Sequence, residues 1–312
     1  MKAARIHRYG ADAVQIDADV PTPQVQPNTV LVRVHAAGVN PFDWKLRAGY
    51  MAQAIPLTFP TTLGGDFSGV ITAVGTGVTG FSVGDEVYGQ AHILTGGTGS
   101  FAEIARASTA TIARKPKNLT HGEAASLPLV GASAWQALVD HMHLLPKQKI
   151  LIHGGAGGIG TIALRIAKYI GAYVATTATG SDIAYVKELG ADEIVDYKAK
   201  KFEDVLPHDL DAVFDTVAGE TYTRSFPMLK NGGVIVSMLE KPNQELMEKY
   251  GVHAIAQSTE ITAERLQKIA ELANQGILKI HIDRTFPLEE AREALSYLES
   301  GRVHGKVVIE VR

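Results

Sequence analysis

The 312-residue chain contains no cysteine. That excludes a disulfide framework, a thiol nucleophile, an iron–sulfur cluster and a cysteine-based zinc site. No run of about 18 uninterrupted apolar residues occurs, so no segment reads as membrane-spanning. The opening residues, Met1-Lys2-Ala3-Ala4-Arg5-Ile6-His7-Arg8, lack the apolar stretch of a signal peptide. There is no Lys/Arg block, and the formal net charge is −3, which argues against a nucleic-acid partner. Internal repeats and low-complexity segments are also missing. The expectation is a cytoplasmic globular protein with no nucleic-acid or membrane partner. Hydrophobic residues make up 46% of the chain and charged residues 20%, enough to build a large core. The length fits two domains of about 150 residues each.

The first part reads as β. Residues 29–37 alternate and are rich in Val, residues 69–74 form another apolar run, and Gly75, Gly77 and Gly80 punctuate the turns after it. Short strands are expected at 101–106 and 110–113, with a tight turn at Val83-Gly84-Asp85. Residues 120–127 read as a helix capped by Thr120, with Glu123 three positions on, and Pro128 as a break before a helix at 133–143. From Lys149 the period becomes strand–helix–strand. Strands are expected at 149–153, 172–177, 193–196, 211–215, 233–237 and 252–257, with helices through 170, at 182–189 and at 263–274. This alternation predicts a doubly wound parallel sheet. A strand at 280–286, a helix at 288–300 and a strand at 306–311 close the chain. The expected division is a β-barrel domain of residues 1–118 and 277–312 around a Rossmann domain of residues 119–276.

The sharpest motif is Gly155-Ala156-Gly157-Gly158-Ile159-Gly160, a G-x-G-x-x-G between a strand and a helix. Gly155 is expected to permit the tight turn. Gly157 lets the backbone approach a pyrophosphate, and Gly160 lets helix and strand pack closely. The helix N-terminus, from Gly158 and Ile159 on, offers free N–H groups and a positive dipole end. A dinucleotide site is therefore expected here. An NAD-binding unit places an acid at the end of the second strand, where this chain has Ala178. With no carboxylate there, a 2′-phosphate meets no repulsion. Thr177, Ser181 and Tyr197, with Lys198 close by, are candidate partners for it. These features favour NADPH over NADH, although Asp182 lies just beyond and no arginine sits in the loop.

Several ordered stretches then matter together. They are Ala37-Gly38-Val39-Asn40-Pro41-Phe42-Asp43-Trp44-Lys45, Gly64-Gly65-Asp66-Phe67-Ser68-Gly69, Val83-Gly84-Asp85-Glu86-Val87, Leu127-Pro128-Leu129-Val130-Gly131-Ala132-Ser133-Ala134-Trp135, the glycine loop, and His304-Gly305-Lys306-Val307-Val308. Over essentially its whole length the chain resembles the medium-chain dehydrogenase/reductase superfamily, in its zinc-independent, zeta-crystallin-like quinone oxidoreductase branch. The resemblance implies a GroES-like β-barrel beside the Rossmann sheet, and a homodimer or homotetramer. Zinc-using relatives have Cys where this chain has Asn40, and His-Glu where it has Gly65-Asp66, so no zinc is expected. His141 and His143 form the one His-x-His, and on a helix they point apart.

Without a metal to polarise a carbonyl, alcohol oxidation is harder to run than hydride transfer to a quinone or an α,β-unsaturated carbonyl. The resemblance places Asn40, Asp43 and Lys45 beside the nicotinamide. Asn40 is expected on the cofactor, Lys45 as the cation for a developing enolate or as proton donor, Asp43 as its orienting partner, and Tyr50 as a second donor. Ser133 and Lys306 are further cofactor candidates. Val217, Ser237, Met238 and Leu239 follow the fourth and fifth strands, whose carboxyl ends usually meet ligands. Rival readings are a crystallin-like or regulatory cofactor-binding protein with little turnover, and a zinc-free alcohol dehydrogenase. Tyr197 and Lys201 have short-chain-reductase spacing, but they follow the third strand and are read as chance.

Overall fold

The computed structural model describes residues 1–301 and 303–312. The chain forms two compact units: residues 1–129, 261–276 and 280–312, and residues 130–260 with 277–279. The sequence-based boundaries put 119–129 and 261–276 with the parallel sheet; both stretches lie in the first unit.

In the first unit, β1 (Ala3–Ile6) pairs antiparallel with β2 (Val14–Asp17) and β4 (Thr61–Thr62). The larger sheet is centred on β3 (Thr29–Val39), eleven residues long and buried along most of its length. β3 is flanked by β5 (Asp66–Val74) and, at its other edge, by β7 (Ile104–Ser108) and β16 (Lys306–Glu310). β6 (Glu86–Gln90) and β8 (Ile112–Arg114) extend it on the β5 side, and β15 (Ile282–Pro287) pairs parallel with β16. A continuous core of Val30, Val32, Phe67, Ile71, Phe101, Leu295 and Ile309 fills this unit. Removing such side chains from water is the main stabilising term.

Helix α1 (Pro41–Ala48) begins directly after β3. Pro41 suits the first helical position, where its missing N–H costs nothing, and Gly49 at φ 85 stops the helix. Helix α2 (His121–Ala125) has the capping box expected from sequence: Thr120 Oγ1 accepts from Glu123 N, and Glu123 accepts from Thr120 N. Helix α3 (Pro128–Trp135) departs from expectation. Pro128 starts this helix instead of breaking one, and a π-helical turn, Gln136–His141, follows it. Helix α8 (Ala263–Asn274) lies on β8, where Asn118 Nδ2 donates to Ala273 O at 2.7 Å.

The second unit is a six-stranded parallel sheet in the order β11-β10-β9-β12-β13-β14. These strands are β9 (Lys149–Ile152), β10 (Tyr173–Ala178), β11 (Glu193–Asp196), β12 (Leu210–Asp215), β13 (Leu229–Ser237) and β14 (His253–Ala256). The chain order reverses between β9 and β12, so the carboxyl ends of these two strands flank the crevice where such sheets take ligands. Helices α4 (Gly158–Ile170), α5 (Asp182–Glu188), α6 (Glu220–Ser225) and α7 (Gln244–Tyr250) connect the strands. Leu151, Val213, Phe226, Met228 and Ile235 form its core. Helix α9 (Ala291–Glu299) belongs to the first unit, between β15 and β16. Among the described residues, no helix is long and apolar enough to cross a membrane.

Candidate active site and cofactor cradle

The glycine loop joins β9 to α4, and each glycine has a distinct physical reason. Gly154, not Gly155, takes the left-handed backbone, at φ 73. Gly155 is needed for space: a Cβ there would lie 2.1 Å from Thr176 Oγ1. At Gly160 a Cβ would lie 2.1 Å from Gly154 O and 2.8 Å from Gly155 Cα, so helix and loop touch backbone to backbone. Gly157 differs. Its nearest obstacle is Gly154 O at 3.4 Å, so its open side can admit a ligand. It caps α4, whose first-turn N–H groups at Gly158, Ile159 and Gly160 have no helical acceptor. This is a cradle for a phosphate chain. Sequence reasoning missed Gly154, although it stands in the same glycine string.

Around the cradle the predicted side chains sort into engaged and available groups. Thr177 is buried, and its hydroxyl accepts from Gly154 N at 3.1 Å and meets His153 Nδ1 at 3.3 Å. It is therefore not a free donor at the strand end, contrary to expectation. Ser181 and the exposed Tyr197 stand at the ends of neighbouring strands, paired through Ala178 and Asp196. The Ser181 hydroxyl lies 3.5 Å from Asp182 Oδ1. Ser237 is buried and donates to Asp215 Oδ2 at 2.7 Å, while Asp215 Oδ1 accepts from the amides of Val217 and Ala218. That carboxylate shapes the turn that leaves Val217 exposed. Leu239 is exposed as well, and Met238 Sδ accepts from Gln257 Nε2 at 3.4 Å. Ser133 is buried, with its hydroxyl 2.7 Å from Thr259 Oγ1. Gly157 and the exposed Ser181, Tyr197, Val217 and Leu239 thus face solvent around the strand ends, while Gly155 and Gly160 are closed in by their neighbours. Thr177 braces the loop at Gly154, and Ser237 braces the turns at Asp215 and Leu239.

The first unit holds a separate polar centre at the start of α1. Asn40 Nδ2 donates to Asp66 Oδ2 at 2.9 Å, and Lys306 Nζ donates to Asn40 Oδ1 and, at 3.0 Å, to Val39 O. Asp43 Oδ2 accepts from Asn40 N at 2.7 Å, and Asp66 Oδ2 also accepts from Leu129 N at 3.0 Å. Gln90 Nε2 lies 3.4 Å from Asp66 Oδ1. Asn40, Asp43, Asp66 and Lys306 are all buried. Burial pushes the Asp43 carboxyl up to about 7, aided by the charge of Asp66 and opposed by the Asn40 N–H and Lys306. Burial likewise raises Asp66, against the pull of Lys306. It lowers Lys306, against the pull of Asp66 and Asp43. One ammonium thus lies in the field of two buried carboxylates, and the loss of hydration holds both carboxyls above their usual range.

This centre corrects two expectations. Asp43 does not orient Lys45. Residues two apart on a helix face different ways. Asp43 points into the centre, while Lys45 Nζ lies 5.7 Å from the Trp44 ring centroid. Lys306 was expected on the cofactor, but two of the three N–H groups of its ammonium are engaged by Val39 O and Asn40 Oδ1. Tyr50 follows the end of α1, is 75% exposed, and meets Trp44 edge-on at 5.8 Å. Asp66 and Gln90 are members that sequence reasoning did not name as site residues; the Gly64-Gly65-Asp66 string was the available signal. Among the described residues, no group of three His, Asp or Glu side chains is arranged to hold a metal. A cleft of about 500 Å³ lies between β8 and α8, lined by Phe81, Arg114, Lys117 and Gln267, and includes none of these groups.

Two family models match the chain: an alcohol dehydrogenase GroES-like domain over residues 26–117, and a zinc-binding dehydrogenase domain over residues 189–309. The chain is 36% identical over 320 residues to a 2-methylene-furan-3-one reductase of Solanum lycopersicum, covering 99% of this chain and 79% of that one. It is 33% identical over 319 residues to an NADPH-dependent alkenal/one oxidoreductase of Arabidopsis thaliana, a chloroplastic protein, covering 99% and 79%. Among solved structures, a quinone oxidoreductase from Coxiella burnetii superposes with a TM-score of 0.91 at 35% identity, covering 100% of this chain and 99% of that one.

Proposed function

The chain belongs to the medium-chain dehydrogenase/reductase superfamily, in its quinone oxidoreductase branch, and from that premise we propose an NADPH-dependent, zinc-independent reductase of quinones or α,β-unsaturated carbonyls. It is an oxidoreductase that uses a nicotinamide cofactor. The observation that carries the cofactor reading is the loop itself. Gly155 and Gly160 are closed by contact, while Gly157 stands open over the bare N-terminus of α4. Gly157, Gly158, Ile159 and Gly160 would hold the phosphates, with Ser181 and Tyr197 toward the adenosine ribose. The lack of an acid at Ala178 supports NADPH over NADH.

Bound there, the cofactor supplies a hydride. Addition of hydride at the β-carbon of an enone moves the alkene pair onto the carbonyl oxygen, giving an enolate that needs a stabilising charge and then a proton at the α-carbon. On a quinone the same transfer leaves a hydroquinone anion that needs one proton. We assign the proton to Lys45, with Tyr50 as second candidate. Asp43 and Lys306 fix Asn40 and the start of α1, the helix that carries Lys45. The matched family description names zinc, but these residues do not fit a zinc centre. The oxygen of Asn40 accepts an ammonium, its amide nitrogen donates to Asp66, and position 65 is glycine. A cytoplasmic location and a homodimer or homotetramer complete the proposal, to be read by fractionation and light scattering.

The test is a panel of NADPH and NADH, each with quinones, enals and enones. Turnover with NADPH on at least one conjugated acceptor is expected. Tight NADPH binding without turnover on any of them would favour the cofactor-binding alternative, and equal use of NADH would remove the specificity assignment. Lys45→Met is expected to cut kcat on an enone by about 10²-fold or more, the usual weight of a positioned proton donor. An unchanged kcat would take Lys45 out of the mechanism.

A further inference from the structure

His153 lies between β9 and the glycine loop and is fully buried. Its ring contacts set a single direction along a chain of hydrogen bonds. The Ser225 hydroxyl donates to Thr221 O at 2.7 Å, so toward His153 Nε2, at 2.9 Å, it can act as acceptor. Nε2 therefore carries the proton. Nδ1 is then an acceptor, and the Thr177 hydroxyl, 3.3 Å away, donates to it. That leaves the Thr177 oxygen to accept from the Gly154 N–H at 3.1 Å, as observed. Gly154 O accepts in turn from Gly157 N at 3.0 Å. The chain thus runs from the phosphate-facing glycine through the loop, β10 and His153 to α6. Phe202 packs edge-on against the ring at 4.8 Å and fixes its plane. Burial holds the imidazole neutral, with its pKa pushed down to about 4.

We propose that His153 is a positioning residue for the nicotinamide cofactor. Its neutral Nε2–H tautomer orients Thr177, and Thr177 pins Gly154, the left-handed pivot that aims Gly157 and the N-terminus of α4. The assignment rests on the reading that this loop binds the cofactor. It gives Thr177 a role different from 2′-phosphate contact, and the two roles separate by experiment. A brace on the loop serves NADH and NADPH alike, whereas a contact to the 2′-phosphate serves NADPH alone.

Dissociation constants for NADPH and NADH are measured by fluorescence titration of the full chain, with Tm read beside them. His153→Gln places its polar end near Nε2 and loses the Nδ1 acceptor; both constants are expected to rise about tenfold, and cofactor KM to rise more than kcat falls. His153→Asn places an oxygen near Nδ1 and is expected to recover binding to within about threefold. Thr177→Val is expected to weaken both cofactors equally. Combined with His153→Gln it should add little, because both changes cut one chain. Wild-type affinity in His153→Gln, equal losses in the Asn and Gln variants, additive losses in the double variant, or a Thr177→Val loss confined to NADPH would each overturn the proposal. If His153→Gln does not fold, Thr177→Val with the two cofactors decides. A wild-type chain that binds neither cofactor overturns the underlying reading, which distinguishes that failure from the others.

Discussion

Removing the Lys306 ammonium leaves the buried carboxylates of Asp43 and Asp66 without their cation. The same change strips the buried Asn40 Oδ1 and Val39 O of their donor, and an unsatisfied buried acceptor costs about 1–3 kcal/mol. Lys306→Met is therefore expected to lose about that much in urea unfolding, and adding Asp66→Asn should return part of it. A loss below about 1 kcal/mol would mean the ammonium is not holding the centre. Asp43 gives a second, pH-resolved signature. Its folded pKa, about 7, lies above its unfolded value of 3.8. Between those values the folded state binds more protons than the unfolded state, so stability falls as pH rises through 7. Asparagine keeps an acceptor for Asn40 N but cannot titrate. The stability of the wild type relative to Asp43→Asn should therefore shrink from pH 5 to pH 8. A constant difference across that range would sink the assignment. Asn40, Asp43 and Lys306 stood out in the sequence as site candidates, but their pairing into one centre was not legible there. Asn40 finds its partners 26 and 266 positions away, and only the pairing of β3 with β5 and β16 brings them together.

The glycine loop was the most legible element because its constraint is local. Strand, turn and helix are consecutive, and each glycine answers to neighbours within the same motif or on the next strand. Two of its glycines should separate experimentally. Gly160→Ala drives a Cβ into the backbone of Gly154 and Gly155, so a lower Tm and weaker cofactor binding are expected together. Gly157→Ala meets nothing closer than 3.4 Å, so its Tm should stay near wild type while cofactor affinity falls about tenfold or more. Thermal melts with and without cofactor check both, and a Gly157→Ala protein that binds normally would contradict the cradle geometry. Helix α3 shows the opposite case. Proline reads equally as a stop signal or as a first helical residue, and the local sequence at Pro128 does not choose between them. The side chains of Asp43 and Lys45 look adjacent in sequence, yet a helix turns residues two apart onto different faces.

Across the whole molecule, acid should be the weakest condition, for reasons found in both units. His92 and His121 in the first unit and His153 in the second are each pushed down to about 4, mainly by burial. Their unfolded value is 6.5, so between about 4 and 6.5 the unfolded chain binds protons that the folded chain refuses. Stability from these groups is complete above 6.5 and is lost as pH falls toward 4. The raised carboxyls of Asp43 and Asp66 work the other way in the same window, because there the folded state holds the extra proton. Three histidines outweigh two carboxyls, so the net slope stays positive but shallow. Asp85, Glu203 and Asp211, whose pKa values are lowered, reinforce the loss nearer their ordinary values of about 4. Tm measured from pH 7 down to 4.5 should fall steadily. In Asp43→Asn, where one opposing proton is gone, the fall should be steeper. A Tm that holds or rises on acidification would show that the histidines are not buried as neutral groups, and would remove the neutral tautomer on which the His153 chain depends.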